Sequence, residues 1–145
     1  MMNEENNDKL WEDEDFVAQF PPNKTYEYVM VPKEKLSKDK EYILCASVWY
    51  KDLPMKRGDV LNNRGFRPYN VDRGVVISGW RHGNCIYQMV AITGLKSNPD
   101  EAGEEVQGFL TNKNRFVDRV EAAQIAFDAG QTETLMTRLF SEDLY

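Results

Sequence analysis

The chain has 145 residues, enough for one domain with a continuous core, and no apolar run approaches the roughly 18 to 20 residues that a membrane-spanning helix needs. Its N-terminus lacks the basic segment and apolar run of a secretory signal, so we expect a cytoplasmic protein. One histidine and two cysteines, Cys45 and Cys85, are too few for a zinc site, and we expect neither a metal nor another cofactor.

The formal net charge of −6 belongs to the N-terminus. Residues 1–15 hold seven acidic side chains and one lysine, whereas residues 16–145 hold 17 basic and 17 acidic side chains. We therefore expect residues 1–15 to be an acidic disordered tail and residues 16–145 to be a single ligand-binding domain. The neutral body argues against binding of duplex nucleic acid, which usually needs a basic surface, but it permits a local basic pocket for a small anion.

Strands are predicted first along the chain. Runs rich in β-branched and aromatic residues predict strands at 25–31 and 41–50. The second run is apolar on both faces, which indicates a central position in a sheet. Several proline, glycine and asparagine residues then predict a long loop or an irregular hairpin at 51–72.

A β-hairpin is predicted next. The runs 74–80 and 85–92 are its two arms, because Gly83 and Asn84 in the turn between them accept the positive φ angles of tight hairpins. A further short strand is predicted at 106–111.

The last third of the chain is predicted to be helical. Asp118 and Glu121 have the spacing of a capping box, an apolar stripe follows them, and Gly130 suits the position just beyond a helix end. A second helix is predicted at 132–140, where apolar residues recur four apart. Because strands come first and helices last, the predicted class is α+β, an antiparallel sheet with two C-terminal helices packed on one face.

The segment before the first of these helices carries the charges that point to a ligand. A helix N-terminus offers unpaired amide groups and a partial positive charge, which attract anions. Arg115 and Arg119 are four residues apart and could converge on one pyrophosphate, with Phe116 available to stack on a base. In the alternative, Arg119 pairs with a neighbouring carboxylate, Phe116 is part of the core, and Asp118 caps the helix and opposes an anion.

A second group of polar residues lies in the predicted turn. Arg81, His82 and Asn84 place a cation, an imidazole and an amide at a hairpin tip, which can reach into a pocket or across a subunit boundary; the alternative is a solvated turn. As a general base, His82 would still need a nucleophile and an orienting partner. The arginines of the loop at 56–73 are a third candidate group, for which charge balance at the surface is the favoured explanation.

Four segments together resemble the Thoeris anti-defence protein 1 family of bacteriophages. They are ASVWY at 46–50, GWRHGNCI at 79–86, QGFLTNKNRFVDRVEAA at 107–123 and LFSEDLY at 139–145. The resemblance extends over residues 42–145, is weakest in the loop after the first of these segments, and leaves out the acidic tail.

The resemblance implies binding without catalysis. Proteins of that family act as sponges for the cyclic ADP-ribose isomers made by bacterial TIR-domain proteins, and they thereby disable Thoeris immunity. For this chain it implies glycocyclic ADP-ribose as the ligand, with Arg115 and Arg119 on the pyrophosphate and Asn98 on the sugar or base. It further implies a homo-oligomer, a dimer or a hexamer, and allows a second site for cyclic oligonucleotides.

Other functions remain open at this stage. One is an enzyme that degrades a cyclic nucleotide signal, with His82 and either Asp118 or Glu121 as its catalytic groups. Another is a protein inhibitor of a host defence factor that acts through residues 1–15. A third is a structural phage protein without a ligand.

Overall fold

The computed structural model describes residues 39–62 and 66–145, which form a four-stranded antiparallel sheet with two α-helices. In chain order the elements are β1 (Ile43–Tyr50), a 3-10 helix (Gly58–Asn62), β2 (Val75–Gly79), α1 (His82–Thr93), β3 (Glu105–Thr111), β4 (Phe116–Asp118), α2 (Arg119–Asp128) and a second 3-10 helix (Ser141–Asp143). The α+β class is therefore confirmed. The strand expected at 25–31 and the acidic tail at 1–15 lie outside the described residues.

The sheet has the strand order β2-β1-β3-β4, so the strand that is apolar on both faces is a central one, as predicted. Alternate residues of β1, namely Ala46, Val48 and Tyr50, are fully buried and join residues of both helices in one core. Because alternate side chains of a strand point to the same face, α1 and α2 cover one face of the sheet. No helix in the described part of the chain is long and apolar enough to cross a membrane.

The second arm of the predicted hairpin is a helix, so the hairpin prediction at 85–92 is wrong. In α1, Cys85 and Met89 are fully buried, and Ile86 and Val90 pack partly buried against the same core. These positions repeat every three to four residues, which is the helical period, whereas a strand buries every second residue. Gly83 and Asn84 suggested a hairpin turn, but the burial pattern of the run that follows them is helical.

Local hydrogen bonds define both ends of α1. The side-chain oxygen of Asn84 accepts the main-chain N–H of Arg81 at 2.9 Å. Gly94 follows the helix with a φ of 71° and donates its N–H to the carbonyl of Val90. Asn84 thus stabilises a helix start instead of the hairpin turn that was predicted, and Gly94 supplies the left-handed residue common at helix ends.

The helix α2 confirms the prediction of a capped helix after the predicted strand at 106–111. The carboxylate of Asp118 accepts the main-chain N–H groups of Val120 and Glu121 at 2.9 and 2.8 Å. The side chain of Glu121 accepts from Arg115 instead of completing the capping box. Gly130 has a φ of 75° just beyond the helix, as predicted.

The second C-terminal helix, predicted at 132–140, does not form. Those residues form bends and irregular backbone, and the 3-10 helix Ser141–Asp143 follows them. The N–H of Leu139 donates to the carbonyl of Arg119 at 2.8 Å, while its side chain is fully buried in the core. The backbone at Leu139 is thus hydrogen-bonded to a residue 20 positions earlier in the chain. Residues 139–145, which we call the C-terminal segment, run past the start of α2.

The strand β4 is only three residues long and was not predicted from the sequence. A tight turn joins it to β3, with Asn114 at a φ of 53° and its N–H donating to the carbonyl of Thr111. Asparagine tolerates this left-handed conformation better than most residues. Because β4 pairs with β3 and is so short, Arg115 lies just before one end of the strand and Arg119 just after the other. The two arginines therefore contact different residues.

Candidate functional site

Arg115 lies between two carboxylates. Its Nε and Nη2 atoms donate to the two oxygens of Glu41 at 2.8 and 3.1 Å, and Nη2 also donates to Glu121 at 2.7 Å. Glu41 and then Glu121 raise the pKa of Arg115, and the bond from Arg115 lowers the pKa of Glu41. The charge of Arg115 is therefore neutralised within the chain, and an incoming phosphate would have to displace a carboxylate.

Arg119, the first residue of α2, has neutral partners instead. Its Nη2 donates to the side-chain oxygen of Gln107 at 2.6 Å, and its Nη1 donates to the carbonyl of Leu139 at 3.4 Å. Its Cζ lies 4.6 Å from the ring centroid of Phe140. The salt bridges among the described residues do not include Arg119. Burial lowers its pKa, an effect that nearby Glu142 partly offsets, so a half-buried cation lacks a contacting carboxylate in the described chain.

His82 begins α1 and is 7% exposed. Its Nε2 lies 2.7 Å from the carbonyl oxygen of Gly108, and its ring meets that of Phe109 edge-on at 5.0 Å. Burial lowers the pKa of His82, the bond to Gly108 partly offsets this, and the positive charge of Arg119 lowers the pKa further. Because a carbonyl only accepts, Nε2 carries the hydrogen in the neutral ring and Nδ1 is left as an acceptor.

Arg81 contacts two aromatic rings. Its Cζ lies 4.4 Å from the ring centroid of Trp80 and 5.2 Å from that of Tyr145. The two rings are nearly parallel, 14° apart, with centroids separated by 6.4 Å. Its Nη2 donates to the main-chain oxygen of Tyr145 at 2.6 Å, while Nη1 is buried without a hydrogen-bond partner in the described structure. The C-terminal segment therefore fixes the position of Arg81.

Arg81, His82 and Arg119 form a basic cluster where the N-terminal ends of α1 and α2 approach the C-terminal segment. Glu142 acts electrostatically on this cluster, since it raises the pKa of both His82 and Arg119. The pKa of Glu142 is itself lowered, first by a main-chain hydrogen bond and then by Arg81. Glu142 makes no salt bridge with Arg81 or Arg119 in the described part of the chain, so neither guanidinium has a side-chain carboxylate in direct contact.

The other candidate residues have local structural contacts. Phe116 is 6% exposed, and its ring meets that of Trp49 edge-on at 5.9 Å. The side-chain oxygen of Asn98 accepts the N–H of Glu101 at 2.9 Å within its own turn. Asn84 stabilises the start of α1. The structure thus brings together Arg81, His82 and Arg119, and it places Arg115 in a separate ionic network.

Three residues beside the cluster were not among the predicted site residues. Gln107 contacts Arg119 from β3, while Phe140 and Tyr145 contact Arg119 and Arg81 from the C-terminal segment. All three lie within the segments that carry the family resemblance. Their place in those segments was the signal that could have identified them, but their contacts with the arginines depend on the tertiary structure.

A separate groove of about 820 Å³ lies beside the C-terminal half of α1, and no residue of the basic cluster lines it. Its lining is mostly apolar and comprises Leu53, Pro54, Met55, Lys56, Val75, Ile77, Met89, Ile92, Thr93 and Leu95. Within the described residues, no group of three or more His, Cys, Asp or Glu side chains is arranged to hold a metal ion.

The fold and its basic cluster define a small α+β protein with two arginines at the starts of its helices. The family model of the phage T4 y16D protein matches residues 42–145, and the chain belongs to this phage protein family. No curated protein and no solved structure matches the chain. The family match supports a phage protein and by itself assigns no ligand.

Proposed function

We propose that this protein binds glycocyclic ADP-ribose in the cytoplasm of the infected bacterium and sequesters it without cleavage. Sequestration would keep the signal from the NAD-consuming effector of Thoeris immunity. Membership in a phage protein family supports a role during phage infection of a bacterium. The four segments that resemble the Thoeris anti-defence protein 1 family support the ligand class. The observation that carries the proposal is Arg119, a half-buried guanidinium with neutral partners.

A pyrophosphate is the chemical group that best complements Arg119. Partial burial has already removed part of the hydration of its guanidinium, and neutral acceptors compensate a cation less than a carboxylate does. An anionic oxygen would provide the missing charge compensation. Arg81, which makes no salt bridge among the described residues, is the second cation of the same cluster and is assigned to the second phosphate.

Groups suited to the sugar and the base lie beside these cations. In the neutral form favoured by burial, His82 offers Nδ1 as an acceptor for a ribose hydroxyl. Trp80 is 63% exposed and Tyr145 is 50% exposed, so both rings present surface on which a base can stack. Base stacking is therefore assigned to the aromatic residues next to Arg81 and not to Phe116, which is buried against Trp49.

Hydrogen bonding favours capture over catalysis. The enzyme alternative requires His82 to work with Asp118 or Glu121, but each of these groups is engaged elsewhere. Nε2 of His82 bonds to Gly108, the carboxylate of Asp118 caps α2, and Glu121 binds Arg115. The bond to Gly108 orients the ring of His82, but a general base also needs a catalytic partner, and both carboxylates of the enzyme alternative are already bonded within the chain.

Calorimetric titration with glycocyclic ADP-ribose tests the proposal. We expect a dissociation constant on the order of nanomolar, about −12 kcal/mol, because a sponge must bind a dilute signal. After heat release, chromatography should return the ligand unchanged. Light scattering of the same samples measures the dimer or hexamer that the family resemblance implies.

Two variants locate the site. Arg119→Gln should weaken binding at least tenfold, whereas Arg57→Gln, which alters an exposed arginine paired with Asp59, should leave it unchanged. Altered ligand after incubation would instead identify an enzyme. Absence of binding by the unmodified protein would refute the proposed function.

A further inference from the structure

Gln107 occupies a defined position in a chain of hydrogen bonds that ends at Arg119. Ser97 donates to Glu105 at 2.7 Å, the Nε2 of Gln107 donates to Glu105 at 3.3 Å, and the oxygen of Gln107 accepts from Arg119 at 2.6 Å. Glu105 and Gln107 lie two apart on β3, so their side chains leave the same face of the strand. This series of hydrogen bonds thus connects the loop before β3 with the start of α2.

The orientation of the Gln107 amide follows from its neighbours. An ionised carboxylate only accepts hydrogen bonds, so Glu105 requires the NH2 group of Gln107 on its side. The amide oxygen must then face Arg119, which only donates. Glu105 therefore directs the acceptor of Gln107 toward the guanidinium while its own carboxylate is bonded to Gln107 and Ser97.

We propose that Gln107 is a positioning residue that determines specificity for anions, because it orients Arg119 without neutralising it. The inference rests on the proposed nucleotide binding at the basic cluster. A neutral oxygen holds the guanidinium in place and leaves its charge for a phosphate. Arg115 illustrates the opposite arrangement, since the carboxylates of Glu41 and Glu121 already compensate its charge.

An exchange of two side chains tests this role. The double variant Glu105→Gln with Gln107→Glu has the composition and net charge of the original chain, and it can keep a hydrogen bond between positions 105 and 107. It moves the carboxylate next to Arg119. Titration with glycocyclic ADP-ribose should show binding weakened by about tenfold to a hundredfold, the range expected when a charged acceptor occupies an arginine. The melting temperature should stay within a few degrees of the original.

A second measurement detects the negative charge that the exchange variant places beside Arg119. His82 is the single histidine of the chain, so one imidazole signal in an NMR titration follows its protonation. Arg119 lowers the pKa of His82, and a carboxylate beside Arg119 should therefore raise it in the exchange variant. An unchanged titration in a folded exchange variant would show that a carboxylate at position 107 does not compensate the charge of Arg119, and it would contradict the inference.

Single variants cover the case in which the exchange variant does not fold. Gln107→Glu should show the same loss of binding, and Gln124→Glu, which adds the same charge on an exposed part of α2, should bind normally. Normal binding by folded Gln107→Glu or by the exchange variant overturns the inference and leaves the proposed function in place. Absence of binding by the unmodified protein overturns both.

Discussion

Arg115 and Glu41 lie 74 residues apart in the chain, yet the guanidinium of one donates to both carboxylate oxygens of the other, at 2.8 and 3.1 Å. Thr111 adds a third bond to the same carboxylate at 2.8 Å. The pair joins the segment before β1 to the turn between β3 and β4. It also explains why Arg115 and Arg119, four residues apart, have opposite electrostatic surroundings.

Glu41→Gln should lower the free energy of unfolding by about 1 kcal/mol, since the pair is partly exposed and part of its Coulomb energy is screened. Urea denaturation measures the change. Asp59→Asn breaks the fully exposed pair with Arg57 and should have no measurable effect. Equal midpoints for the Glu41 variant and the original would contradict the structural role assigned to this ion pair.

His82 should make the protein less stable in mild acid. Burial lowers its pKa below the ordinary 6.5, so between these two pKa values the unfolded chain binds a proton that the folded chain does not. The stability from the neutral ring is fully present above pH 6.5 and decreases as the pH falls through that window. Urea midpoints at a series of pH values should slope there, and His82→Gln should remove this part of the slope. An unchanged slope would show that other groups cause it.

Gly108→Ala should destabilise the sheet by about 3 kcal/mol or more. A Cβ at Gly108 would overlap the carbonyl oxygen of Val117 and lie 2.7 Å from the ring of Phe116, so β4 would have to shift. Gly83→Ala is the matched substitution, because Gly83 lies in α1 with no atom within 4 Å of the added methyl group. It should stabilise the protein by about 0.5 to 1 kcal/mol. Thermal unfolding of both variants measures the contrast, and similar melting temperatures would refute it.

Cys85 should resist alkylation in the folded protein. Burial raises the pKa of its thiol to about 11, which leaves little thiolate at pH 8, and the sulfur is fully enclosed. In a Cys45→Ser variant, iodoacetamide should modify Cys85 rapidly in urea and very slowly without it. Mass spectrometry gives both rates. Similar rates would show that the first turns of α1 open readily.

The elements that were predicted correctly depend on neighbours close in sequence. The strands at 43–50, 75–79 and 105–111 follow from apolar and β-branched runs, and the start of α2 follows from the spacing of Asp118 and Glu121. The failure at 85–92 has a local cause as well. Gly83 and Asn84 suggested a hairpin turn, whereas the helical spacing of the apolar residues after them and the glycine at 94 were the signals that favoured a helix.

The failure at 132–140 has a different cause. Apolar residues four apart predicted a helix, but the chain buries Leu139 and bonds its N–H to Arg119, and Phe140 packs beside the same arginine. These contacts link residues about 20 apart, a separation that helical periodicity does not describe. The three-residue β4 was missed for a similar reason, because so short a strand is stabilised by pairing with β3 and has no pattern of its own.

The sequence by itself determined the α+β class, the central strand, the capped helix and the set of charged residues from which a site could be built. Only the tertiary structure decided which arginine is neutralised. Glu41 reaches Arg115 from the segment before β1, whereas Gln107 reaches Arg119 from β3. Secondary structure depends on side chains a few residues apart, but the partner of a charged group depends on which distant strands and turns the fold brings within hydrogen-bonding distance.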